Sequence, residues 1–121
     1  MNTLDILLNT ELPDLPEKEF KIKRLSAICK EPVIFRLKAL PYNRATEIIK
    51  SQPEDMNVHI VLAGTVEPNL KDKELLTKYS AVTPAEMVKK LLLPGEIEDI
   101  SREIEKLSGY RTATLEELKK N

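Results

Sequence analysis

Leu91-Leu92-Leu93-Pro94-Gly95-Glu96-Ile97-Glu98-Asp99-Ile100-Ser101-Arg102-Glu103-Ile104-Glu105-Lys106-Leu107-Ser108-Gly109-Tyr110 is the stretch that decides how this chain folds. Ile97, Ile100, Ile104 and Leu107 recur at spacings of three and four, so a helix sets them on one face; Glu98, Asp99, Arg102, Glu103, Glu105 and Lys106 take the rest. Glu96, Glu98 and Asp99 fall in the first turn, where the helix dipole favours negative charge, and Gly109 stands where a left-handed residue would end the helix. A helix of about 13 residues is marginal alone in water and depends on docking its apolar face. Burying the four stripe residues is worth at most on the order of 6 to 12 kcal/mol, comparable with the net stability of a whole domain. The stripe therefore either closes the chain's own core, against Leu75, Leu76, Met87, Val88, Leu91 and Leu92, or is presented in part to another chain.

Upstream of this stretch the pattern is helical back to Pro41. Ser51 with Glu54, Thr83 with Glu86 and Thr114 with Glu117 have the spacing of capping boxes, and Pro84 follows Thr83 at the first helical position. We read helices near 41–50, 52–63, 71–79, 84–93, 95–108 and 114–120. Residues 56–66 suit a buried strand as well as a helix, because Val58, Ile60 and Leu62 alternate; we read them as helix. Ahead of Pro41 the period changes to two. Phe20 and Ile22 alternate with Lys21 and Lys23, and Val33, Phe35, Leu37 and Ala39 alternate with Ile34, Arg36 and Lys38. That reads as two antiparallel strands joined through residues 25–31, with an apolar face that the rest of the chain must cover. Residues 3–9 are a short apolar segment, and Leu12-Pro13-Asp14-Leu15-Pro16 is held extended by its prolines. The fold class is α+β, mostly α. Residues 1–121 form a single domain, with an extended apolar arm at 1–17, a two-stranded β unit at 18–40 and five or six short helices over 41–121.

With 121 residues, 41% hydrophobic and 32% charged, the chain is long and apolar enough for one core and is not a disordered polymer. The net charge of −1 hides an uneven layout: seven basic residues against two acidic ones over 18–38, and seven acidic against three basic over 96–117. Such asymmetry would steer partners or self-association, or would be two solvated faces of one domain. Cys29 is the one cysteine, which excludes an internal disulfide, fits a reducing compartment, and reads as a small buried hydrophobe. No run of about 18 apolar residues spans a membrane, and the acidic N-terminus does not read as a signal peptide. The chain reads as cytoplasmic.

Catalytic, cofactor-binding and metal-ligating residues are not recognisable. Gly64, Gly95 and Gly109 build no phosphate cradle or dinucleotide fingerprint. Cys29 and His59 fall short of a zinc set, and His59, inside an apolar run, reads as structural. Adjacent carboxylates such as Glu98 with Asp99 diverge by about 100° on a helix and read as surface charge. The chain reads as a binding module that needs no cofactor. Lys21, Lys23, Arg36 and Lys38 are a candidate basic face; phosphate, an acidic partner or the acidic second half of the chain would compensate them. Phe20 and Phe35 belong to the opposite face, which leaves no aromatic platform for bases and argues against nucleic acid.

Several segments together carry a family resemblance: Lys23-Arg24-Leu25-Ser26, Ala39-Leu40-Pro41-Tyr42-Asn43, Ala63-Gly64-Thr65-Val66-Glu67-Pro68-Asn69-Leu70, Thr83-Pro84-Ala85-Glu86, Leu91 through Ile97, and Leu107-Ser108-Gly109-Tyr110. In order and spacing, from about residue 4 to 120, the chain resembles the XkdN-like tail assembly chaperones of PBSX-type phages and prophages. The resemblance implies a non-enzymatic protein of long-tailed phage assembly that binds the tape measure protein, helps recruit tail tube subunits and leaves before the virion is complete. It supplies no catalytic or ligand residues to transfer. It also implies a longer, frameshifted form, for which an adenine-rich run encoding Lys119-Lys120-Asn121 would serve; a basic helix end would explain the same residues. The competing readings are a structural tail protein retained in the virion and a small nucleic-acid-binding regulator.

Overall fold

Phe20 faces Phe35 and Lys18 faces Leu37 across an antiparallel pair, as the two-residue period requires. In the computed structural model, which describes residues 2–119, these belong to β1 (Glu17–Lys21) and β2 (Ile34–Lys38). A third strand, β3 (Thr65–Glu67), pairs antiparallel with the far side of β2 and makes the sheet order β1-β2-β3. Seven helices accompany the sheet: α1 (Thr3–Leu8), α2 (Lys23–Cys29), α3 (Tyr42–Ser51), α4 (Met56–Gly64), α5 (Lys73–Lys78), α6 (Pro84–Leu91) and α7 (Pro94–Leu107). The class is α+β, mostly α.

One face of the sheet and the helices after it enclose a single cluster of buried side chains. Phe35 and Leu37 supply the strand contribution, Val58, Ile60 and Val61 that of α4, Met87 and Val88 that of α6, and Ile97, Ile100 and Ile104 that of α7. α7 packs chiefly on α4, with further contacts to α6 and β2. Where α4 and α7 cross, Gly64 is buried against Ile104, and a Cβ built at 64 would lie 2.6 Å from both Cδ1 and Cγ2 of Ile104. Ser101, the buried polar residue of the same face, donates its hydroxyl to Asn57 Oδ1 at 3.1 Å and so is not stranded.

Both ends of the second-half helices are set by local chemistry. Thr83 Oγ1 accepts from Glu86 N–H at 3.1 Å, and the Glu86 carboxylate accepts from Val82 N–H at 3.0 Å, one residue earlier than a strict capping box. α7 ends in a Schellman motif: Gly109 has φ +93, Tyr110 N–H donates to Glu105 O at 2.9 Å and Gly109 N–H to Lys106 O at 3.0 Å.

Five expectations need correction. The 25–31 connection contains α2, because Ser26 Oγ accepts from Val33 N–H at 2.8 Å and Arg24 is anchored across the molecule, tertiary contacts that local pattern cannot report. The helix foreseen at 52–63 starts at Met56: Ser51 completes the last turn of α3, and the stretch across Pro53 separates the two helices, so the Ser51–Glu54 box does not form. Residues 65–67 are strand, because β2 offers them an edge. Thr3–Leu8 is helical instead of extended, capped by Asn2 Oδ1, which accepts from Asp5 N–H at 2.9 Å. Residues 113–119 are not helical: Leu115 and Leu118 stand in solvent, and with no surface to dock on, a one-box helix has nothing to offset its nucleation cost. Lys120 and Asn121, the end of the proposed frameshift site, lie outside the described residues.

Candidate functional site

Arg24, at the start of α2, reaches the start of α7 and closes a bidentate pair with Glu96: Nη2 donates to Oε1 at 2.9 Å and Nε to Oε2 at 3.1 Å. A further Nη2 bond goes to Leu91 O at 2.8 Å, capping the last turn of α6, while Glu96 Oε1 also accepts from Leu93 N–H at 2.7 Å. The Arg24 guanidinium holds the Glu96 carboxyl below the usual carboxylate range, against the opposing effect of partial burial. One ion pair thus locks three segments: α2, the end of α6 and the start of α7.

Beside this lock runs a groove of about 470 Å³. Its apolar lining is Phe20, Ile22, Leu37 and Ile100. Lys21 and Lys23 rise on one wall, and Asp99, Arg102, Glu103 and Lys106 on the α7 wall. The α7 charges pair along their own helix, Arg102 with Glu98 at 3.0 Å and Lys106 with Glu103 at 3.3 Å. Among the described residues Lys21 and Lys23 have no such partner. With Arg24, the groove carries five cations against three carboxylates. A shallower surface continues from Lys21 and Lys23 over α2 to Lys30.

A second groove, of about 290 Å³, opens between α3, α4 and the end of α7. Leu40, Ala45, Ile48, Ile49, Met56 and Ile60 make it mostly apolar, and Tyr110 stands at its edge. Ser108 fixes that edge, its hydroxyl donating to Ile104 O at 2.7 Å and accepting from Leu40 N–H at 2.9 Å. Glu105 and Arg111 pair across its rim. Ile49 is 50% exposed on this surface.

The residues singled out from the sequence fall in different places. Ile97, Ile100 and Ile104 are buried in the core and Leu107 is half-buried beside it, so little of the stripe is on show. Lys21, Arg36 and Lys38 share the outer side of the sheet, where Lys21 lies opposite Ile34, Arg36 opposite Glu19 and Lys38 opposite Glu17, and Lys23 has left the sheet for α2. The compensation foreseen for Arg36 and Lys38 therefore comes from the neighbouring strand, with Arg36 Nε 4.0 Å from Glu17 Oε2. Cys29 is exposed, not buried, because α2 turns only Leu25 fully inward. His59 is half-buried on α4. Among the described residues no cluster of three or more His, Cys, Asp or Glu side chains is placed to hold a metal ion, and no helix is long and apolar enough to cross a membrane. Reading the sequence missed the Arg24–Glu96 lock and the second groove; the retained signal for the lock was Glu96 in the first turn of the long helix.

The profile of the family described as phage XkdN-like tail assembly chaperone protein matches residues 4–120. The chain belongs to that family. A crystal structure of the protein YqbN is similar to this chaperone, with a TM-score of 0.73 and 25% identity over 91% of this chain and 98% of that one. No curated protein matches the chaperone significantly. The family is one of assembly chaperones, not an enzyme class, and its partners are phage tail proteins met in the host cell.

Proposed function

We propose that this chain is a non-enzymatic chaperone that binds the tape measure protein of a long-tailed phage or prophage, helps recruit tail tube subunits, and leaves before the virion is complete. It works in the bacterial cytoplasm, as a single domain over residues 1–121 and without a cofactor. The observation that carries the reading is the second groove: an apolar surface built from α3 and α4, held open by the Ser108 bonds and left with Ile49 and Tyr110 in solvent. Tape measure proteins expected from the resemblance are long and helical, and a helix with a narrow apolar stripe is the natural occupant of such a groove. A chaperone that must later dissociate is served by a small apolar site of this kind better than by an extensive one.

Co-expression with the tape measure protein of the same genome tests the proposal. The chain should be retained on a tagged tape measure protein, Ile49→Asp should lose that retention while keeping the native circular dichroism spectrum, and purified particles should lack the chain. Retention unaffected by Ile49→Asp would remove the groove from the mechanism. Abundant chain in purified particles would favour the structural tail protein instead.

A further inference from the structure

α1 is a helix without a home. Leu4, Leu7 and Leu8 share one side of it, at spacings of three and four, and are 63%, 64% and 73% exposed; no residue of α1 is buried. Six residues do not sustain a helix in water through capping alone, so this one requires cover. The segment that carries it is also of one sign: residues 2–16 contain Asp5, Glu11 and Asp14 and no Lys or Arg. The surface complementary to an acidic, leucine-bearing helix is present on the same molecule, in the groove beside the Arg24–Glu96 pair. That groove has Phe20, Ile22 and Ile100 in its lining, excess positive charge, and on its wall Lys21 and Lys23, which have no carboxylate partner among the described residues.

The arm does not reach its own groove. Pro16 O accepts from Ala39 N–H at 3.0 Å, which aligns the arm's root with the start of β1, whereas the lysines lie at and beyond the other end of that strand. Docking within one chain would need Leu12-Pro13-Asp14-Leu15-Pro16 to reverse direction, and proline holds both itself and the residue before it in extended backbone. A groove on a neighbouring molecule imposes no such reversal. We infer that the 2–15 arm of one copy docks α1 into the Phe20–Ile100 groove of a second copy, with Leu4, Leu7 and Leu8 against its apolar lining and the arm's carboxylates beside Lys21 and Lys23. The contact joins two different surfaces. It closes a dimer when exchanged reciprocally and extends a row of subunits when it is not.

Sedimentation velocity of the full-length chain over a wide concentration range tests this. Reversible association that weakens as salt is raised is expected. Leu4→Asp with Leu7→Asp, and separately Lys21→Glu with Lys23→Glu, should each yield monomers with native circular dichroism, since every altered side chain is exposed. The deciding measurement mixes two charge-reversed proteins. A Lys21→Glu, Lys23→Glu variant should associate with an Asp5→Lys, Glu11→Lys variant when neither associates alone. A monomer at all concentrations would overturn the inference. So would association that survives the groove changes, or an arm whose loss affects only retention on the tape measure protein.

Discussion

Ile104 rests against the bare Cα of Gly64, so closely that a single added methyl group would sit 2.6 Å from two of its side-chain carbons. Ile104 is fully buried and has no open space into which to swing. Gly64→Ala should therefore destabilise the fold by about 1 to 3 kcal/mol through overpacking, even though alanine is the better helix former. Ile104→Ala should cost about 2 to 5 kcal/mol by leaving a cavity. The two changes should not add. With the isoleucine gone, alanine at 64 meets no wall and its propensity advantage of about 1 kcal/mol reappears. Urea denaturation of the four proteins of the cycle measures the coupling, and strict additivity would mean that α4 and α7 separate to accommodate the methyl group.

The stripe helix serves the core before it serves any partner. Ile100 has its side chain in the buried cluster, and a carboxylate there would be desolvated without a compensating cation fixed to it. Ile100→Asp should abolish the cooperative thermal transition, so any accompanying loss of tape measure binding would follow from unfolding. A variant that melts normally yet fails to bind would return the stripe to the interaction surface.

How much of this was legible in the sequence depended on whether a residue's role was local. The α7 stripe and the β1 and β2 alternation could be read, because each element repeats its burial at the period of its backbone. Thr83-Pro84-Ala85-Glu86 was legible for the same reason: the cap and its carboxylate lie within one turn. α2 was not. Its Arg24 partners Glu96 and the Leu91 carbonyl are 72 and 67 residues away, and nothing in Lys23-Arg24-Leu25-Ser26 announces them. β3 was missed because three residues become a strand only beside β2. The Thr114–Glu117 spacing shows the converse failure, a sound local signal with no tertiary surface to support it. Of the candidate sites, the basic residues were visible but their surroundings were not, since the register sets Glu17 and Glu19 opposite Lys38 and Arg36, and α2 takes Lys23 out of the sheet.

Acid should loosen the junction of α2 and α7 first. The hydrogen bonds from Arg24 are the main reason the Glu96 carboxyl titrates below its ordinary range in the folded chain, followed by the Leu93 amide, with partial burial opposing both. The ionised carboxylate therefore adds stability above the unfolded value of about 4.3, and that contribution disappears as pH falls through the lower folded-state value. Glu86, lowered by the Val82 amide, loses its contribution in the same window. Wild type should be more stable than Glu96→Gln at neutral pH, and the gap should narrow steadily below about pH 4. Arg24→Lys should not restore it, because an ammonium cannot make the paired bonds of the guanidinium. Thermal melts over a pH series check this, and a constant gap at every pH would show that the pair is not linked to folding.

Thr83 has a narrower role. Its hydroxyl oxygen accepts one amide at the start of α6, and Thr83→Ala leaves that donor to solvent. The cost should be about 1 kcal/mol, with Thr83→Ser close to wild type because serine offers the same acceptor. Equal losses for the alanine and serine variants, in urea melts, would point to the lost methyl group instead of the cap.

The arm should matter to association and not to the stability of the folded chain. No residue from Asn2 to Leu15 is buried, and the first backbone bond tying this region to the sheet comes from the Pro16 carbonyl. Deleting residues 3–12 removes five apolar side chains, yet each is more than half exposed, so the hydrophobic contribution to folding changes little. The deleted protein, measured dilute enough to be monomeric, should unfold at the same urea concentration as the intact chain with the same dependence on denaturant. At higher concentration the intact chain alone should gain stability, since an association that selects the folded state adds to it by mass action. A dilute-limit loss of stability on deletion would mean that α1 packs on its own core in solution.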